Sequence, residues 1–97
     1  MLSELTADER QAVLKSLEDR GWLWQGDWIY APHRMLWLHK DLDFGSLQEF
    51  YEKFSARLAR MKEIKPPDDP SAPYYEVIGD NESIISALEQ VIGNKAA

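Results

Sequence analysis

The chain has no cysteine among its 97 residues. That excludes a disulfide framework, a thiolate nucleophile and any zinc site built on sulfur, and leaves packing as the source of stability. Histidine is scarce, limited to His33 and His39, so acid–base chemistry near neutral pH has two imidazoles to draw on. No apolar run approaches the ~20 residues of a membrane span. Met1-Leu2-Ser3-Glu4-Leu5 lacks the basic start and apolar core of a signal peptide, and the expectation is a cytoplasmic protein without membrane contact. No serine stands in a Gly-x-Ser-x-Gly setting and no glycine-rich loop is available to cradle phosphate, so nucleophilic and nucleotide hydrolysis lack their usual parts. Basic residues are outnumbered 11 to 17, for a net charge of −6, which opposes binding to nucleic acid or anionic lipid. Neither a cofactor nor a metal is expected.

What is abundant is tryptophan. Trp22, Trp24, Trp28 and Trp37 fall within sixteen consecutive residues that also hold Tyr30. Such a cluster anchors a small core, forms a partner-facing patch or walls a pocket for a flat ligand. Strands carry side chains on both faces, so four indoles this close in sequence cannot all enter one small core, and some are expected at the surface.

With 44% hydrophobic residues the chain suits one domain over residues 1–97. Thr6-Ala7-Asp8-Glu9 is a capping box, predicting a helix from about Ala7 to Arg20 with Val13, Leu14 and Leu17 inward and Gly21 as its stop. From Trp22 the period changes to two. Trp22 and Trp24 share one face, Trp28 and Tyr30 share one face, and Gln25-Gly26-Asp27 carries turn chemistry, which predicts a hairpin or one long strand bulged at Gly26. After Pro32-His33-Arg34, an extended segment from Met35 to Lys40 points Leu36 and Leu38 one way and Met35, Trp37 and His39 the other. Ser46-Leu47-Gln48-Glu49 is a second capping box, and Leu47, Tyr51, Phe54, Leu58 and Met61 mark an amphipathic helix ending near Ile64. Residues 66–73 hold four prolines and read as an extended connector. Tyr74 to Ile78 reads as a short strand, Asp80 or Asn81 as the cap of a last helix stopped by Gly93, and residues 94–97 as a frayed tail. The fold class expected is α+β, a small antiparallel sheet with helices on one face, in the order α-β-β(-β)-α-β-α.

That element order, opened by Leu5-Thr6-Ala7-Asp8-Glu9-Arg10, then Leu14, Leu17 and Gly21-Trp22, resembles the start of the pterin-4a-carbinolamine dehydratases. The likeness is strongest over Leu5 to Tyr30 and continues with Asp43-Phe44, the helix from Phe50 to Ala59, and Pro66. It implies a saddle-like α+β fold and assembly into dimers or tetramers. With Ala59 and Pro66 on the corresponding family positions, the family's catalytic histidine pair falls on Ile64 and Lys65. Isoleucine cannot move a proton to a departing hydroxyl, and lysine ordinarily stays charged. The resemblance therefore implies a non-catalytic, assembly-factor-like form, with no catalytic residue carried over.

The leading expectation is a protein-binding module that self-associates and binds another protein. Its partner-binding residues are Trp24, Trp28 and Trp37, with Arg57 and Arg60 on the basic side of the second long helix steering encounter. The competing expectation is a pterin-type ligand binder or dehydratase-like enzyme, in which the aromatic cluster stacks a bicyclic ring and His33 or His39 supplies acid–base function.

Overall fold

The computed structural model describes residues 4–96. It is an α+β fold in the order α1 (Ala7–Asp19), β1 (Leu23–Gln25), β2 (Trp28–Tyr30), β3 (Trp37–His39), α2 (Leu47–Lys62) and α3 (Pro73–Ala96). Both capping boxes form. The Thr6 hydroxyl accepts the Glu9 N–H while the Glu9 carboxylate accepts the Thr6 N–H, and Ser46 and Glu49 repeat the exchange at the start of α2. Beyond α1, Gly21 adopts a φ of +93°, a left-handed conformation that glycine takes without steric cost, and so turns the chain out of the helix.

The three strands form one antiparallel sheet in the order β1-β2-β3. Gln25 pairs with Trp28 across a two-residue turn in which Gly26 has a φ of +61° and Asp27 is not left-handed. These are the φ signs of a type II′ turn, whose twist matches that of the strands it joins. Nothing lies within 4 Å of a Cβ placed on Gly26, so Gly26→Ala meets backbone strain alone. It is expected to lower stability by about 1 kcal/mol, readable as a shift in the thermal midpoint.

The turn length sets the register. Trp24 pairs with Ile29, and Ile29 with Leu38; these three share the face toward the helices, where Ile29 and Leu38 are buried with Val13, Leu17, Phe50 and Leu88. α3 packs against both other helices. Ser16 of α1 and Arg20 at its C-cap donate to the Gln90 side chain at 2.9 and 3.0 Å, and the Tyr51 hydroxyl of α2 meets Glu89 at 3.2 Å.

The last third of the chain departs from expectation. Tyr74 to Ile78 is not a strand; these residues belong to the first turns of α3, a helix of 24 residues. Pro73 occupies its first position, where a missing N–H costs nothing and a fixed φ helps. Neither Asp80 nor Asn81 caps a helix: both are buried in mid-helix, Asn81 donating from its side chain to the Val77 carbonyl at 2.8 Å. Gly93 does not stop α3, which continues to Ala96, so residues 94–96 are helical and Ala97 lies outside the described residues. α2 ends at Lys62, two residues short of Ile64.

In the proline-rich connector, Asp69 accepts the Ser71 N–H at 3.0 Å and the Ser71 hydroxyl at 2.8 Å. Those bonds hold its carboxyl below the ordinary carboxylate range. Ser71→Ala is expected to move the Asp69 titration upward, toward the ordinary value, as followed by carbon-detected NMR of the carboxyl group. Among the described residues no helix is long and apolar enough to cross a membrane.

Candidate functional site

The outward face of the sheet carries two cross-strand rows. Leu23, Tyr30 and Trp37 are register partners and form one; Gln25, Trp28 and His39 form the other. Residues opposite one another in an antiparallel pair project to the same side, so each row is a ridge of adjacent side chains. Tyr30 and Trp37 stack with centroids 4.6 Å apart and planes 27° apart. Trp28 and His39 meet edge to face at 5.1 Å. The aromatic surface is open: Leu23 is 57% exposed, Trp28 46% and Trp37 41%. Large apolar groups contiguous on a surface mark interaction sites more often than scattered ones do.

The four indoles divide by environment. Trp22 is 2% exposed, and its indole N–H donates to the Ser83 hydroxyl at 2.8 Å. Trp24, expected to join the docking patch, instead lies on the opposite, helix-facing side of the sheet and donates to Glu18 at 3.0 Å. It borders a separate cleft with Arg10, Lys40 and Asp41. Trp37 donates to the Arg34 carbonyl at 3.2 Å. Only the Trp28 indole N–H lacks a protein acceptor among the described residues, and the Tyr30 hydroxyl beside it also makes no hydrogen bond there.

Arg34 frames this surface in a conformation the sequence does not announce. It has a φ of +60°, a left-handed backbone that costs an arginine roughly 1 kcal/mol or more. Its N–H donates to the Ala31 carbonyl at 2.8 Å, and its guanidinium lies 5.5 Å above the Tyr30 ring, a cation–π placement. The restraint comes from α3. Asp80 is 1% exposed, and its two carboxylate oxygens accept the N–H groups of His33 at 3.2 Å and Met35 at 3.0 Å, the residues on either side of Arg34. A buried carboxylate 45 residues away in sequence thus clamps the loop between β2 and β3 and turns the arginine toward the aromatic face. Among the described residues Arg34 has no carboxylate partner. Lys40, which also borders the face, is paired with Asp27 at 3.3 Å, and His39 accepts the Asp41 N–H on Nδ1 at 3.2 Å.

Of the five expected partner-binding residues, the structure brings Trp28 and Trp37 together and separates Trp24 from them. Arg57 and Arg60 are exposed on α2, a different element. The histidines do not converge. His39 belongs to the aromatic ridge, while the His33 ring sits beside Gly79 of α3, 3.7 Å from where a Cβ would stand there. Among the described residues no three His, Asp or Glu side chains cluster as a metal site requires. Ile64 and Lys65 are exposed just beyond α2.

Sequence reasoning missed Tyr30, Arg34 and Asp80 as site residues. The Trp28/Tyr30 alternation carried a signal for the first; Arg34 and Asp80 carried none, because their roles depend on a contact between distant segments. No family model matches the chain, and neither the curated proteins nor the solved structures contain a match.

Proposed function

We propose that this chain is a non-catalytic protein-binding module of assembly-factor type, docking a partner on the outward aromatic face of its sheet. The observation that carries this reading is the exposure of Trp28 and Trp37 on one face of the sheet, one on each ridge, framed by an arginine that has no carboxylate partner among the described residues and that the fold holds in a strained conformation. Strain of this kind collects at functional sites because the surrounding structure must over-determine it. Tryptophan and arginine are also the residues that most often dominate binding energy at interfaces. The exposed Arg57 and Arg60 on α2 add a second positive region that would speed encounter with an acidic partner. The dehydratase-like reading adds no proton-transfer group, since Ile64 and Lys65 stand where its histidine pair would be.

The test is site-specific photo-cross-linking in the native cell. A photoreactive side chain at position 23, on the aromatic face, is expected to trap a discrete protein. The adduct should disappear when Trp28 and Trp37 are both replaced by alanine while the circular dichroism spectrum is retained. An adduct that survives the double replacement, or no adduct at all, refutes the module reading. The competing pterin reading draws on the Trp24 cleft, which places an indole among Arg10, Lys40 and Asp41. It predicts saturable quenching of tryptophan fluorescence by a reduced pterin, abolished in Trp24→Ala.

A further inference from the structure

Resting on the module reading, we propose that the occupant of the aromatic face is a short, acidic, proline-bearing segment of a partner protein, bound as a polyproline II turn in the trough between the two ridges. Size decides first against a second copy of this chain. Three strands of three residues, at about 3.4 Å per residue and about 4.8 Å between strands, make a platform roughly 10 Å on a side. Such a platform offers a few hundred Å² at most, well short of the ~800 Å² per partner typical of a stable protein interface. It suits a peptide of a few residues.

The shape of the trough selects the peptide conformation. The ridges are two residues apart along each strand, about 7 Å, which leaves room for one saturated ring between aromatic walls. Across the three strands the trough runs for about 10 Å, enough for one turn of polyproline II at 3 residues per turn and about 3.1 Å per residue. A proline suits such a surface because the middle of a sheet face presents side chains only, so a ligand N–H buried there would lose water without gaining a backbone acceptor. Proline has no N–H to lose, and its chain is already extended, so little conformational entropy is lost on docking. Its carbonyl oxygens do need donors. Among the donors that the face supplies without a partner among the described residues are the Trp28 indole N–H and the Tyr30 hydroxyl.

Charge selects the flanking residue. The chain carries −6 overall, yet the cation at this face without a carboxylate partner among the described residues is Arg34. Its guanidinium can take a carboxylate in bidentate fashion from above Tyr30. The exposed Asp41 carboxylate beside His39 would repel a second carboxylate at that rim, so an acidic flank is drawn to the Arg34 end.

The experiment uses three nine-residue synthetic peptides: prolines flanked by glutamates, prolines flanked by lysines, and a glutamate-flanked glycine–serine sequence without proline. Binding is followed through the indole N–H signals in proton–nitrogen NMR. The glutamate–proline peptide is expected to give saturable shifts of the Trp28 and Trp37 indoles and none of Trp22. Trp28→Ala should abolish the remaining Trp37 shift at millimolar peptide. Arg34→Gly removes the guanidinium while relieving the left-handed strain, so the fold is kept; it should weaken the glutamate–proline peptide about tenfold and leave the lysine–proline peptide unchanged or improved. Equal binding of the proline-free peptide, or no saturable shift with any peptide, overturns the proposal. If the cross-link from position 23 persists in either of those cases, the module reading stands and only the identity of its ligand falls.

Discussion

Trp22→Ala is expected to destabilise the protein by about 3–5 kcal/mol, the usual cost of deleting a large aromatic ring from a core, whereas Trp28→Ala is expected to cost less than about 1 kcal/mol. Domains of this size are stable by roughly 5–15 kcal/mol, so the first variant approaches loss of the fold and its thermal midpoint should fall by ~15–30 °C. The contrast follows from environment. Trp22 is fully enclosed where the chain leaves α1, and its N–H is satisfied by Ser83 of α3. Removing it opens a cavity and leaves a hydroxyl without its partner in the same place. Trp28 loses only contacts on the open face, chiefly the edge of His39. Chemical denaturation of the two variants settles the matter, with Trp22→Phe as a readable intermediate that keeps most of the ring and loses the N–H. Equal losses for Trp22→Ala and Trp28→Ala would show that the indoles are not divided between scaffold and surface as described.

Asp80→Ala is expected to cost about 2–4 kcal/mol, because two hydrogen bonds from backbone N–H groups to one carboxylate are lost together. The figure lies below the sum of two fully buried charged bonds because the His33 side of the loop is exposed and water can reach its amide. Asp80→Asn recovers less than half: the amide oxygen can serve either His33 or Met35, but the side-chain NH2 group then faces the other backbone donor. Local opening gives a sharper readout than global stability. Hydrogen exchange at His33 and Met35 should accelerate by at least about tenfold in Asp80→Ala while the α1 amides change only as much as global stability does. The same variant tests how the aromatic face is organised. Once the clamp is gone, nothing holds Arg34 left-handed above Tyr30, so the affinity for an acidic proline peptide should fall to the level of Arg34→Gly. Combining the two changes should then lower it no further, the mark of residues acting through one structural element. If the double variant binds additively worse, Asp80 and Arg34 act separately and the clamp has no bearing on the site.

The parts of this fold that could be read from the chain are those whose physics is local. The capping boxes at Thr6 and Ser46 span four residues each, and α1 and α2 begin where they predict. The apolar spacing from Leu47 to Met61 needs nothing beyond helical geometry to define a buried stripe. Gly26-Asp27 between alternating aromatics specifies a hairpin through the backbone freedom of one glycine. Leu36 and Leu38 turn inward and Trp37 outward, as strand alternation requires.

Wherever two distant segments had to meet, local pattern misled. Tyr74-Tyr75-Glu76-Val77-Ile78 has the composition of a strand, yet a short apolar run has no period that separates strand from buried helix; with Pro73 at its start, packing on α1 and α2 makes it helical. Asp80 and Asn81 look like caps because such side chains usually compete for backbone N–H groups near a helix start. Asp80 does bond backbone N–H groups, but they belong to the β2–β3 loop, and the chain gives no sign of that distance. Proximity in sequence groups Trp24 with Trp28 and Trp37, but a two-residue turn puts it opposite Ile29 and so on the other face; a shift of one residue in register would reverse the outcome. Capping, amphipathic stripe and hairpin thus belong to the chain alone, because each is a contest among neighbours within one turn of backbone. The choice of which indoles face outward, and the strained arginine set beside them, belong to the packed fold, because the first depends on which face of the sheet the helices cover and the second on Asp80 of α3 reaching the β2–β3 loop.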